Sequence, residues 1–226
     1  MRRITVIIPT LNEEKGIGPT IKEYMETIPN AEVMVIDGGS SDKTVEIAKG
    51  LGAEVIINEG GKGSAIAKAL SILQSRDTEP DYLVFTDGDY TYPAKHVPEM
   101  IKVLSNDLSA GAVLGDRFKN HGILHYFTNI YFMGNLIIKQ FYKAKGIKLN
   151  DPLTGLRTVR WSAIKDWIPT SKEFEIETEM NLYLLSNGWK ILELPIEYRK
   201  RLGEKKLKVT DAIPIIKMLI NYNAKA

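Results

Sequence analysis

The chain has no cysteine, which excludes disulfides, thiolate zinc sites and cysteine nucleophiles. It also lacks a charge excess. Thirty Lys and Arg stand against 28 Asp and Glu, a formal +2, well short of the basic surplus of a protein that coats nucleic acid. A long apolar run is missing as well. Met1-Arg2-Arg3 leads straight into Ile4-Thr5-Val6-Ile7-Ile8-Pro9, too short for a secretory core, so cytoplasmic residence is expected. Between Lys119 and Lys139 there is no Asp, Glu, Lys or Arg, yet His125, Thr128, Asn129, Gly134 and Asn135 interrupt the stretch. A membrane span needs about 20 predominantly apolar residues. His96, His121 and His125 show no metal-ligand spacing and read as surface or packing residues, and no repeat, low-complexity segment or long linker divides the chain.

What is present suits one domain with its own core: 226 residues, 44% hydrophobic and 26% charged. Ile4 to Ile8, Glu32 to Ile36, Glu54 to Ile57, Tyr82 to Phe85 and Ala112 to Leu114 read as strands. Glu14 to Ile28, Asp42 to Leu51, Gly63 to Ser75 and Pro98 to Leu108 alternate with them as helices. That alternation predicts an α/β fold, a doubly wound, mostly parallel sheet over residues 1 to about 118. From about 119 to 208 the pattern becomes α+β, with helices near 123–145 and 175–186 and extended segments near 155–159 and 190–199. Residues 209–226 read as an amphipathic tail starting near Pro214.

In an open parallel sheet ligands bind beyond the carboxyl ends of the strands. Those ends are polar here: Pro9-Thr10-Leu11-Asn12-Glu13-Glu14, Asp37-Gly38-Gly39-Ser40-Ser41-Asp42, Asn58-Glu59-Gly60-Gly61-Lys62-Gly63, Thr86-Asp87-Gly88-Asp89 and Gly115-Asp116-Arg117. Asp87 and Asp89, around a glycine at a strand end, suit one hard cation completed by substrate phosphates, Mg²⁺ or Mn²⁺; the plainer reading is a turn. Gly60 to Ser64 can cradle phosphate through amides at a helix start, with Lys62 adding charge, or can be a glycine-rich turn. It lacks the Walker spacing, and Asp37-Gly38-Gly39-Ser40 lacks the dinucleotide fingerprint, so Asp37 is left to hold a base or ribose. Arg199 to Lys208 carries six cations and one acid beside the apolar tail, as a solvated face, a phosphate clamp or a basic patch at a membrane surface.

Five segments in order resemble glycosyltransferase family 2: Val6 to Glu14, Val35 to Thr44, Phe85 to Asp89, Asp151-Pro152-Leu153-Thr154-Gly155-Leu156-Arg157, and Phe174 to Met180. Within that family the chain looks most like dolichyl-phosphate mannose or glucose synthases, and the resemblance covers nearly its whole length. It implies a GT-A fold, a nucleotide-sugar donor and a metal-dependent inverting transfer to a polyprenyl or dolichyl phosphate. By matching motif, Pro9, Thr10, Asn12, Glu13 and Asp37 line the nucleoside pocket, and Asp87 and Asp89 hold the metal on the diphosphate. Arg117, Arg201 and Lys206 contact phosphates. Asp151 faces the sugar or the acceptor. Asp89, Asp151 and Arg117 are thereby the expected catalytic contacts, with Glu177 and Glu179 as a base or acceptor contact, or else a capping or salt-bridged pair.

The sequence departs from the family pattern at Gly38, where a second acid is usual, at Thr91, and at Lys205 before the C-terminal Lys-Leu. The absence of arginine between Lys119 and Ile138 removes the cations that mannose synthases place there for the acceptor phosphate. A soluble acceptor on the same fold therefore stays open. So do a sugar nucleotidyltransferase, which would carry a glycine-rich loop after the first strand, and a non-catalytic nucleotide-binding module. The aromatic stretch around Tyr126, Phe127, Tyr131 and Phe132 and the apolar tail suit either a bilayer interface or packing on the sheet.

Overall fold

The computed structural model describes residues 2–118, 130–204 and 209–222. Strands β1 (Ile4–Thr10), β2 (Glu32–Asp37), β3 (Glu54–Ile57), β4 (Tyr82–Phe85), β5 (Ala110–Asp116), β6 (Arg157–Arg160) and β7 (Lys190–Pro195) form a seven-stranded sheet in the order β3-β2-β1-β4-β6-β5-β7. All pair in parallel except β6, which runs antiparallel between β4 and β5. The carboxyl ends of the other strands therefore share one edge. The central strands are buried on both faces, which is why they read as unbroken apolar runs.

Helices cover both faces. On one side α1 (Ile17–Thr27), α2 (Thr44–Gly50) and α4 (Val97–Asn106) pack Ile17, Ile21, Tyr24, Ala48, Val97, Met100 and Leu104 against Val6, Ile8, Val35 and Val84. In α4 the buried set Val97, Met100, Ile101 and Leu104 keeps helical spacing, and Pro98 sits in the first turn, where its missing N–H costs nothing. On the other side lie α3 (Lys62–Gln74), the single turn α6 (Trp161–Ile164) and α7 (Ile176–Ser186), with Ile66, Leu70, Leu73, Trp161, Ile176 and Met180 on Ile7, Met34, Ile36 and Phe85. A third cluster joins α5 (Ile130–Ala144) and α8 (Ala212–Asn221) through Ile138, Tyr142, Ile215 and Leu219, over Leu114 and Leu182.

Strand β5 is longer at both ends than the predicted Ala112 to Leu114. Gly111 and Gly115 lower its strand propensity, but a Cβ at 111 would meet Trp189 at 2.8 Å and one at 115 would meet Ile196 at 2.5 Å, so both glycines admit the neighbouring β7 region. His121, His125, Tyr126, Phe127, Lys205 and Lys206 lie outside the described residues, as do the side chains of Tyr131 and Phe132.

Candidate active site

Strand β4 ends at Phe85, and the next residues turn back across the edge of the sheet. Asp87 and Asp89 flank Gly88, where a Cβ would stand 2.7 Å from Thr10 Cγ2, so the loop lies hard against the end of β1. Asp89 Oδ1 accepts from the Thr91 amide at 3.0 Å and the Thr91 hydroxyl at 2.6 Å. Between them Tyr90 has φ +66°, a left-handed conformation costly for a bulky side chain. Its ring lies 4.4 Å under the Arg199 guanidinium, itself paired with Glu23 at 2.5 and 2.9 Å. The chain after β7 fastens this loop from above: Arg199 N donates to Thr91 O at 2.9 Å and Leu202 N to Asp89 O at 3.1 Å.

Each aspartate faces a cation. Lys62, in the first turn of α3, places Nζ 2.7 Å from Asp87 Oδ1 and 2.6 Å from Glu177 Oε1. Burial alone would favour a neutral Lys62, but the two carboxylates outweigh it and hold the ammonium charged. Burial likewise opposes ionisation of Asp87, and Lys62, Arg201 and Arg117 reverse that effect and lower its pKa. Asp89 moves upward, because burial and then the charge of Asp87 exceed the help from Thr91 and Arg201. Arg201 Nη1 lies 3.3 Å from Asp89 Oδ2, and its Nη2 pairs with Glu13.

These groups line a cleft of about 810 Å³. Its order follows the sheet. Pro9 to Glu13, Gly38, Gly60 and Gly61 stand at the β1–β3 end, Asp87 to Asp89 in the middle, and Arg117, Phe118, Leu153, Tyr198 and Ile215 toward the β5 end. Among the described residues no group of three or more His, Cys, Asp or Glu is arranged to hold a metal. The two carboxylates of Asp87 and Asp89 are nevertheless hard oxygen donors on one loop facing the cleft. Such a donor set fits Mg²⁺ or Mn²⁺ when substrate phosphates complete the coordination.

A family model described as "Glycosyl transferase family 2" matches residues 5–166. The chain belongs to glycosyltransferase family 2. It is 34% identical over 202 residues to glycosyltransferase AglJ of Haloferax volcanii, covering 88% of this chain and 63% of that one. It is 31% identical over 208 residues to a dolichyl-phosphate hexose transferase of the same organism, covering 90% and 86%. Glucosyl-3-phosphoglycerate synthase of Mycobacterium tuberculosis, crystallised with Mn²⁺, UDP-glucose and glycerol 3-phosphate, superposes with a TM-score of 0.71 at 19% identity, over 97% of this chain and 78% of that one. The fold of this family 2 glycosyltransferase is GT-A.

The cleft gathers most of the residues expected from the sequence: Pro9, Thr10, Asn12, Glu13, Lys62, Asp87, Asp89, Arg117, Glu177 and Arg201. Asn12 reaches it through a left-handed backbone (φ +49°) that asparagine tolerates, with Oδ1 accepting from Ser41 N at 2.8 Å.

Three expected residues stand behind the wall instead. Asp37 is fully buried, its carboxylate accepting from Gly39 N, Ser40 N, Ser40 Oγ and Thr10 Oγ1 at 2.6–3.2 Å, so it shapes the loop after β2. Asp151 is fully buried and paired with Arg117 Nε and Nη2 at 2.6 and 2.8 Å, which orients the arginine. Glu179 accepts from Thr170 N at 2.8 Å and Ser171 N at 2.7 Å and holds that turn.

The sequence reading missed several cleft residues. Tyr92, Phe118, Leu153, Tyr198, Glu173, Phe174 and Ile215 reach it from loops and helices distant in sequence. Buried Arg157 also escaped notice, although it closes the Asp151–Arg157 motif. It donates to Pro152 O at 2.9 Å, Thr154 O at 2.9 and 3.0 Å, Glu177 O at 3.2 Å and Asn181 Oδ1 at 2.9 Å, tying that motif to the start of α7.

Proposed function

We propose that this chain transfers a hexose from a nucleotide sugar to a polyprenyl phosphate of the dolichyl type, by a metal-dependent inverting reaction. One observation carries the acceptor reading: at the β5 end of the cleft the Arg117 guanidinium stands among apolar groups. It lies 5.4 Å over the Phe118 ring and 5.3 Å over the Tyr198 ring, with Leu153 and Ile215 lining the same cleft. A cation framed by hydrocarbon suits a phosphate whose other substituent is a hydrocarbon chain. The similarity to a protein named dolichyl-phosphate hexose transferase supports the same reading.

In such a transfer the acceptor oxygen forms a bond to the anomeric carbon as the bond to the donor diphosphate breaks. Asp87 and Asp89 would hold Mg²⁺ or Mn²⁺, which supplies charge neutralisation to the leaving diphosphate. Arg201 and Lys62 stand beside the same carboxylates and add fixed positive charge there. A phosphate monoester, with a second pKa of about 6, arrives largely ionised, so no general base is required. Asp151 then serves by fixing Arg117 in line with the acceptor.

The face beside the cleft suits work at a bilayer. Helices α5 and α8 bury Ile138, Tyr142, Ile215 and Leu219 in one cluster, while Leu136, Ile137, Ile213 and Ile220 are exposed with Lys143 and Lys217. No helix among the described residues is long and apolar enough to cross a membrane. The test is transfer of label from GDP-mannose or UDP-glucose to polyprenyl phosphate, with Mg²⁺ or Mn²⁺. Label in the organic phase, lost in Asp89→Asn, is the expected result. Metal-dependent donor binding without such transfer would turn the acceptor assignment toward a soluble phosphorylated compound.

A further inference from the structure

The Glu173 carboxylate has no task in the proposed transfer. Glu173 lines the cleft beside Gly61 and Phe174, at the end opposite Arg117. Its segment is fixed on the first turn of α3: Ser64 N donates to Lys172 O at 3.1 Å, and a Cβ at Gly63 would lie 2.4 Å from Ser171 O. Glu175 Oε1 holds the segment from the other side, accepting from Lys172 N at 3.1 Å and Glu173 N at 3.3 Å. A Cβ at Gly61 would stand 2.1 Å from Glu173 Oε2 and 2.4 Å from Oε1. The Glu173 carboxylate fills the space that a side chain at 61 would take. Gly61 has an ordinary φ of −80°, so it is this contact, and not the backbone, that calls for glycine. Among the described residues the Glu173 carboxylate takes no hydrogen bond and no ion pair.

We infer that Glu173 reads the base of the donor and selects guanine. The inference rests on the nucleotide-sugar reading of the cleft. With the diphosphate at Asp87 and Asp89 and the acceptor at Arg117, the nucleoside extends toward the ends of β1 to β3, where Gly60, Gly61 and Glu173 stand. A carboxylate offers two acceptor oxygens and no donor. Guanine presents two adjacent N–H donors, on N1 and on the exocyclic N2, and can meet both oxygens at once. Uracil presents one N–H between two carbonyl oxygens, which a carboxylate repels. Adenine presents one donor beside an acceptor. A site that hydrogen-bonds one ligand discriminates against an analogue that leaves its polar groups unpaired. The Phe174 ring, in the same stretch of wall, offers a flat apolar surface to the base.

The test is equilibrium binding of GDP, UDP and ADP to the full chain in the presence of Mg²⁺. Wild type is expected to bind GDP at least tenfold more tightly than either of the others. Glu173→Gln, which replaces one acceptor by a donor, is expected to reduce the GDP/UDP ratio roughly tenfold. Gly61→Ala, which crowds the carboxylate out of its place, should lower the ratio in the same direction with an unchanged Tm. Equal or tighter binding of UDP by wild type, or an unchanged ratio in Glu173→Gln, overturns the assignment. If wild type binds none of the three, the nucleotide-sugar reading itself fails and takes this inference with it.

Discussion

The two ends of the cleft are built differently. Toward β1 to β4 the polar groups stand on short loops directly after parallel strands, and beside the ion pairs of Lys62 and Arg201 many of their partners are backbone amides or hydroxyls of the same or the adjacent loop. Asp37 with Ser40, Asp89 with Thr91 and Asn12 with Ser41 are of this kind. At the β5 end the order comes from a buried arginine–aspartate pair and from a carboxylate that accepts from the amides of another segment. Arg117 pairs with Asp151, and Glu193 accepts from Asp151 N and Asn150 N at 2.8 Å each. Asn150 Nδ2 reaches Asp116 at 3.3 Å. Burial raises the pKa of Glu193, with the charges of Asp116 and Asp151 adding to the rise against the two amides. A loop held by its own amides survives the loss of a distant partner, whereas a buried ion pair does not.

Asp151→Asn tests that contrast with the largest effect. The substitution leaves the Arg117 guanidinium without its buried counter-charge, and breaking such a pair costs about 3–5 kcal/mol. Urea denaturation should show a loss of that order. Nucleoside diphosphate affinity should change less than about twofold if the loops after β1, β2 and β4 are organised locally and bind the nucleotide as proposed. Parallel loss of nucleotide binding under native conditions would show that the two ends form one cooperative unit.

Leu219→Ala should have a smaller effect. Leu219 is fully buried between α5 and α8, and Leu-to-Ala changes cost about 2–5 kcal/mol. The low end is expected, because α8 lies at the margin of the fold, so the helix should fray before the sheet opens. Hydrogen exchange should then accelerate in α5 and α8 and stay slow in β1, β2 and β4. Uniform acceleration would place α8 in the same folding unit as the parallel sheet.

The same contrast explains what could be read from the sequence. The Asp87-Gly88-Asp89 loop was legible because a buried strand, a turn and two carboxylates lie within eight consecutive residues, and the strand ends follow from alternation alone. The role of Asp37 was not, since nothing in Asp37-Gly38-Gly39-Ser40 says whether the carboxylate faces a ligand or turns back on Ser40. The Arg117–Asp151 pair joins residues 34 apart in sequence, and no periodicity announces it. The antiparallel direction of β6 was hidden too, because a four-residue strand carries no sign of its polarity. Glu173 and Phe174 stood just before a legible helix, but only the packing of their segment on α3 brings them to the cleft.

Glu23 and Arg199 provide the finest test, since they tie the segment after β7 to α1. Burial alone would raise the Glu23 pKa, but the hydrogen bonds and charge of Arg199, with the Ala94 amide, bring it below its ordinary 4.5. A carboxylate with a lowered folded-state pKa stabilises the fold above its unfolded pKa, and that contribution disappears as pH falls through the folded value. The pair is partly open to solvent, so screening limits its contribution to at most about 1 kcal/mol. Glu23→Gln should therefore lie below wild type in urea midpoint at neutral pH, with the gap closing as pH falls below about 4.5. A gap of equal size at both ends of that range would mean that packing around residue 23, and not the ion pair, fastens the segment after β7 to α1.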